Sequence, residues 1–391
     1  MKDLLLITLI VFGEPHIHDS EWHKIEYEGF VKQILATDQE AWIVGSQGAL
    51  HYSPKTGRAS LIQKELDEDG FPTALCGESV RCVCQDNQGR LWFGCWDQHP
   101  EHKGRGIAIR GGNEWEYLSV YDGLPSDNVL ALACDSLDQV WVSTTEGIGV
   151  LSDDKWFSFT TADGLSRNDP VSLFVDHFDN IWAGCWRGVN RYAFGKWLAW
   201  RDQSLDYVYG ITETVQRTLI CSIKGGFAEY DGSSWTIHRH PGRLKRRLPS
   251  SIAVDASDNI WLSWGSYPVG VSVFDGTKWC QLTEKSTHGR LHSDSIWHIE
   301  IAPNGTFYFG ATNGDASVYR PPPGTDTLPY QEYSMAEKTF SGKNTVDNCP
   351  SHIRHKMVSL TDIFSHSYTV VNSIRNELVS SSIPPTISMS N

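Results

Sequence analysis

One pattern recurs along the chain and restricts its fold more than any other feature. An Asp-rich turn leads into an apolar strand with Trp near its start, followed by Gly or a small residue. A further strand follows, then a tight turn, and the next strand begins near a second Trp. The clearest copies are DNQGRLWFGC at 86–95, DSLDQVWVST at 135–144, DHFDNIWAGC at 176–185 and DASDNIWLSW at 255–264. A divergent first copy is DQEAWIVGS at 38–46, and weaker copies are QRTLICSI at 216–223 and PNGTFYFGA at 303–311. The marker column reads Trp42, Trp92, Trp141, Trp182, Leu219, Trp261 and Phe307, with a spacing of ~40–50 residues that suits a four-stranded blade. A helical repeat of that length would need apolar residues at i, i+3 and i+4. Runs such as VWVST and GIGVL are instead short, β-branched and bounded by turn residues, which specifies strands.

Each unit reads as four strands. In the third, the innermost strand is 127–134, followed by 139–144, 147–151 and 155–159. Asp231-Gly232 and Asp275-Gly276 stand at the last turn of two other copies, where Gly supplies the positive φ of a tight hairpin. A lone antiparallel blade would expose two apolar faces and its edges, and radial packing buries both. The expected fold is therefore an all-β, seven-bladed β-propeller spanning residues 20–320. The last copy lacks a fourth strand before Pro321, and Glu21-Trp22-His23-Lys24-Ile25 has the look of one, so the N-terminal strand is expected to close the ring. Of the 16 tryptophans, Trp42, Trp92, Trp141, Trp182 and Trp261 mark second strands. Trp22, Trp115, Trp156, Trp197, Trp235 and Trp279 sit on fourth strands. All eleven are assigned to blade packing.

These motifs resemble the two-component regulator propeller family. Its repeat joins a D-x-x-G-x-[LI]-W-x-G-T strand pair to a DGLPS-like connector, present here as Asp122-Gly123-Leu124-Pro125-Ser126 and Asp163-Gly164-Leu165-Ser166, with degenerate forms at 69–72 and 248–250. The resemblance covers about residues 20–320. It implies an extracytoplasmic ligand-sensing domain, often attached to a membrane kinase and often linked to carbohydrate uptake. After Arg320 the pattern departs: Pro321-Pro322-Pro323 opens a tail at 321–391 rich in Ser, Thr and Pro, read as low in order. Within it Ile353, Met357, Leu360, Phe364, Val371, Ile374 and Leu378 have helical spacing beside His366. A partner-binding helix is favoured there over a phosphoacceptor helix.

Charge and cysteine usage bear on partners. Lys and Arg total 33 against 47 Asp and Glu, a net charge of −14, which repels phosphate backbones and argues against nucleic acid. The basic run RLKRR at 243–247 reads as a solvated loop. The cysteines fall mostly inside strands with no paired C-x-x-C spacing, and read as small buried residues, which favours a reduced compartment. The apolar run at 4–12 behind Lys2 resembles a short secretory signal and favours export, so 1–19 is read as a leader and the chain as periplasmic or secreted.

Chemistry on a propeller gathers where loops converge around the axis. The turns between second and third strands share a face with the outer-to-inner connectors. They offer Trp96 with Asp97, Glu146, Trp186 with Arg187, and Lys224. Trp264 lies nearby, and Trp297 opens an innermost strand. Aromatic faces with a few charges suit a sugar or another flat polar ligand, so these eight are the expected ligand-binding residues, with packing as their alternative role. Small molecules or oligosaccharides are the expected ligands, and a membrane signalling protein is a possible partner. No cofactor, metal or catalytic residue is called for. Two other classes stay open. Streptogramin lyases share a related propeller and use a metal with His and Glu near the axis. Here His298 and Glu300 stand at i and i+2 on one strand face, without a second His pair to complete a ligand set. A protein-binding scaffold is the other. His16, His18, His238 and His240 read as surface or loop residues.

Overall fold

The computed structural model describes residues 22–96, 106–265 and 267–321. They form seven four-stranded antiparallel sheets, each ordered by sequence from its inner to its outer strand except the last. The inner strands of blades 1 to 7 are Val31–Ala36, Ser79–Gln85, Val129–Cys134, Ser172–Val175, Ile211–Glu213, Ser251–Val254 and Ile296–Ile301. Blade 3 continues through Val140–Thr144, Gly147–Ser152 and Lys155–Phe159, within two residues of the sequence reading at every end. In blade 7 the outer strand is Trp22–Glu26, which pairs antiparallel with Asp315–Tyr319, Trp22 opposite Tyr319 and Glu26 opposite Asp315. The two sequence-distant edges are thus joined, as the missing fourth strand required.

The repeat has a direct chemical cause. In blades 2, 3, 4 and 6 the motif Asp clamps its own turn and the Trp six residues on. Asp255 accepts the Ser257 and Asn259 amides on Oδ1 at 2.9 and 3.0 Å, and the Trp261 indole N–H on Oδ2 at 2.9 Å. The same indole-to-carboxylate bond recurs at Trp92–Asp86, Trp141–Asp135 and Trp182–Asp176, at 2.9, 3.0 and 2.8 Å. Two weak copies are misplaced by one residue in the sequence reading. The left-handed turn residue precedes the marker by three, as at Gly89, Asp138, Asp179 and Asp258, and Arg217 and Gly305 occupy that place in blades 5 and 7. The markers there are Ile220 and Tyr308, not Leu219 and Phe307. A shift of one residue along a strand moves a side chain to the opposite face. Accordingly Leu219 packs between blades 4 and 5, and Ile220 between 5 and 6.

With that correction each of the seven apolar clusters lies between two successive blades and contains one marker: Trp42, Trp92, Trp141, Trp182, Ile220, Trp261 and Tyr308. The Gly after the marker allows the close approach of the neighbouring inner strand. A Cβ on Gly94 would stand 2.7 Å from Val129 Cγ1, and one on Gly310 would stand 2.5 Å from Val31 Cγ1. The DGLP connectors wedge the blades. Ser119 and Asp122 form a capping box around a single 3-10 turn, Gly123 adopts φ 105°, and Leu124 is buried beneath it. The second copy, Thr160 to Leu165, repeats this geometry with Gly164 at φ 111°. Eight free cysteines occur among the described residues, and Cys84 and Cys134 bring their sulfurs to 2.9 Å across blades 2 and 3. The leader, the tail and its helical stretch, Asp97 and Cys349 lie outside the described residues.

Candidate functional site

Four inner strands carry a β-bulge at the same place, just inside their first residue. The register slips between Val31 and Gln33, Val80 and Cys82, Val129 and Ala131, and Ile296 and His298. The residues left unpaired are Lys32, Arg81, Leu130 and Trp297. A bulge re-aims one side chain out of the regular alternation, and here it turns them to the channel mouth. By position along the repeat, Tyr209 and Ser250 fill the same place in blades 5 and 6. Contacts across the ring agree. Lys32 Nζ stands 4.9 Å from the Trp297 ring and 3.9 Å from Phe30, and Arg81 stacks 5.4 Å from Trp96. Arg81 also acts electrostatically on Lys32 of blade 1 and on Tyr209 of blade 5, on the far side of the axis.

A cavity of about 170 Å³ opens between blades 5, 6 and 7, walled by Tyr209, Ser250, Trp264, Gly265, Tyr267 and Trp297 with Leu248 and Pro249. Gly265 takes φ 60°, and a Cβ there would stand 3.1 Å from the Trp297 ring, so glycine lets the two walls meet. Trp264 is held by a chain of bonds. Its indole N–H donates to Ser272 Oγ at 2.8 Å, and Ser272 Oγ lies 3.2 Å from His240 Nε2. His240 Nδ1 in turn lies 2.6 Å from the Pro241 carbonyl, so Nδ1 carries the proton and Nε2 accepts. Burial lowers the His240 pKa, which keeps this neutral arrangement. Of its reading as a surface or loop residue, the loop holds and the surface does not: His240 follows the strand Trp235–Arg239 and is 1% exposed. His238 is half-buried, its ring stacked on Phe227 and bonded to Glu229 at 3.0 Å. Nearby, Arg247 covers Tyr267 at 4.1 Å, so the last residue of the basic run belongs to the cavity rim.

The eight expected residues separate into groups. Trp264 and Trp297 come together in the cavity wall, with Trp264 fully enclosed in the core between blades 5 and 6 and not free in a turn. Trp96 is the last residue of the second strand of blade 2, opposite Ser79, and not part of a turn. Trp186 is 48% exposed and packs against Tyr207, with the Arg187 backbone beside it in an isolated antiparallel β-bridge to Asp206. Glu146 and Lys224 are exposed on separate blades. Lys32, Arg81 and Tyr209 were missed. A compositional signal existed for two of them, because VKQILA and SVRCVCQ place a cation second or third in a mostly apolar inner strand.

His298 and Glu300 serve the ring itself. His298 Nδ1 accepts the Ile34 amide of blade 1 at 3.2 Å. Gln33 Oε1 accepts the Val83 amide in the same way, and Ser251 Oγ the Ile299 amide, at 3.0 and 3.3 Å. In blades 1, 6 and 7 a polar side chain of the inner strand thus satisfies a backbone donor of the next inner strand. Burial lowers the His298 pKa to about 4, consistent with a neutral acceptor, and raises that of Glu300 to about 8 against the pull of the Ala36 amide. Among the described residues no three His, Cys, Asp or Glu gather into a metal-ligand group.

A two-component regulator propeller family model matches residues 74–97, the stretch with Arg81, Trp92 and Trp96. That stretch carries the two-component regulator propeller repeat. No curated protein matches the sequence closely enough to count as a relative. Among solved structures, this propeller is similar to the extracellular domain of a hybrid two-component system from B. thetaiotaomicron, at 17% identity and a TM-score of 0.60. The match covers 76% of this chain and 39% of that one, so the propeller corresponds to about two fifths of that domain. It is also similar to virginiamycin B lyase from Staphylococcus aureus, at 12% identity and TM-score 0.58 over 77% of this chain and 99% of the lyase. A third is YCF48 bound to D1 peptide, at 14% identity and TM-score 0.55 over 78% and 98%. At these identities the likeness establishes the fold. Among the described residues no helix is long and apolar enough to cross a membrane.

Proposed function

We propose that this propeller is a non-catalytic, extracytoplasmic sensor domain that holds a sugar-like ring in the channel-mouth cavity. The observation that carries the reading is the convergence of Tyr209, Tyr267 and Trp297 on one cavity of about 170 Å³, with the buried Trp264 behind them. Aromatic faces accept the apolar C–H faces of a pyranose, and Ser250 and the Tyr209 hydroxyl offer directed bonds to its polar edge. The volume suits one ring at a time, since an apolar cavity of ~150 Å³ holds benzene. The repeat family and the extracellular two-component domain among its structural neighbours support a sensing role outside the cytoplasm. A membrane signalling protein would then read the occupied state.

A metal-assisted lyase gains less support, because His298 spends Nδ1 on the Ile34 amide. The test is a thermal-shift screen of the full chain against neutral and acidic mono- and disaccharides, repeated on Trp297→Ala and Trp186→Ala. A ligand at 100 times its Kd adds ~2.7 kcal/mol to stability. The reading expects at least one saccharide to stabilise the native protein and Trp186→Ala, and none to stabilise Trp297→Ala. A hit lost in Trp186→Ala and retained in Trp297→Ala would move the site to the rim and overturn it.

A further inference from the structure

We infer that the channel mouth recognises an anionic ligand, an acidic saccharide whose carboxylate or sulfate sits between Lys32 and Arg81 while its ring occupies the aromatic cavity. The inference rests on the proposed sugar-binding role of that cavity and names the charge of its ligand. Three observations carry it.

First, two cations of neighbouring blades are aimed at one place by the same bulge, one or two residues inside the inner strands of blades 1 and 2. Second, neither has a carboxylate within ion-pair distance among the described residues, although ion pairs occur elsewhere on the propeller, as at Lys24–Asp315 and Arg90–Asp86. In a chain of net charge −14, two unneutralised cations side by side are an electrostatic cost that a merely structural role would remove. Burial and the neighbouring Arg81 lower the Lys32 pKa to about 8, the shift expected of a cation held without its counter-ion. Third, both heads are held in place by rings: Lys32 over Phe30 and Trp297, Arg81 over Trp96. Trp297 belongs both to this clamp and to the cavity wall, and Tyr209 lies in the wall and in the field of Arg81. A ligand in the cavity therefore meets the cations on its open side. Arg offers a planar fork to a carboxylate or sulfate, and Lys a point charge.

The experiment is calorimetric titration of the full chain with three forms of one disaccharide: ended by glucuronate, by its methyl ester, and by a 6-sulfated hexose. The ester keeps the shape and removes the charge. The acid should bind at least tenfold more tightly than the ester, and its advantage should shrink as salt rises. Lys32→Met should narrow the acid's advantage over the ester, Arg81 holding the remainder, while the ester still binds, and an unchanged ratio of acid to ester affinity would overturn the inference. Retained ester binding also shows that the variant is folded. A sulfated ligand tighter than the glucuronate assigns the mouth to sulfate, and the opposite order to carboxylate, and either supports the inference. Equal binding of acid and ester would overturn it while leaving the sugar-binding reading intact. Failure of all three forms to bind would overturn both.

Discussion

Replacing Asp255 by Ala tests whether the repeat motif stabilises each blade through its clamp. Asp255 is 2% exposed and accepts four donors: the Ser257 and Asn259 amides, Asn259 Nδ2 at 3.0 and 2.8 Å, and the Trp261 indole N–H. Ser257 is exposed, so water replaces the lost acceptor there, whereas Asn259 and Trp261 are buried. Leaving a buried donor unsatisfied costs ~1–3 kcal/mol, so two or three of them at ~1.5–2 kcal/mol each set a gross loss of ~3–6 kcal/mol. Burial already raises the Asp255 pKa, so removing the carboxylate also relieves some desolvation, and the net loss falls to ~2–5 kcal/mol. The assay is urea or thermal unfolding followed by tryptophan fluorescence, where such a loss corresponds to a fall of roughly 3–8 °C in Tm for a propeller of this size. Thr37→Ala is the internal comparison. In blade 1 the Thr37 hydroxyl takes the Gln39 and Glu40 amides, and the Trp42 indole N–H is buried without a partner. That variant orphans no indole and should lose only ~1 kcal/mol. If Asp255→Ala lost no more than Thr37→Ala, the clamp would not explain why the motif repeats.

Three other outcomes follow from particular residues. Glu300 has its pKa raised to about 8, so the native state binds a proton that the unfolded chain releases near pH 4.5; stability should fall as pH rises from about 5 to 8. Glu300→Gln should flatten that part of the Tm-against-pH curve, and an unchanged slope would place the titration elsewhere. Lys32, lowered to about 8 by burial first and by the Arg81 charge second, should lose its proton above that pH in the unliganded protein. Affinity for an acidic saccharide should then weaken above pH 8 in the native chain and stay level in Lys32→Arg, measured by titration across pH 6.5–9.5; parallel profiles would remove Lys32 from binding. Deleting residues 1–26 removes the strand paired with Asp315–Tyr319 and should lower Tm sharply, whereas an unchanged Tm would contradict closure by that strand.

The fold was legible because its cause is local: an Asp, a turn and a Trp six residues on form one hydrogen-bonded unit wherever they occur. It blurred where that chemistry is absent. In blades 5 and 7 neither Asp nor Trp is present, and only the left-handed residues Arg217 and Gly305 fix the frame, a conformational signal that composition does not display. The site was legible only in part, for a related reason. Trp264 and Trp297 stood out as tryptophans unclaimed by the repeat. Lys32 and Arg81 reach the mouth through β-bulges, which depend on pairing with the second strand and leave no mark in period-two alternation. Trp186 illustrates the converse. Its turn lies on the expected face, but its ring rests on Tyr207 and is not among the residues of the cavity wall.

The most direct test of the central claim is a crystal structure of the full chain soaked with the tightest-binding acidic saccharide. The account predicts ligand density in the channel mouth, with a ring against Trp297 and Tyr267 and an anionic group within hydrogen-bonding distance of Lys32 Nζ and the Arg81 guanidinium. Density on the rim at Trp186 and Arg187, with an empty mouth, would contradict it.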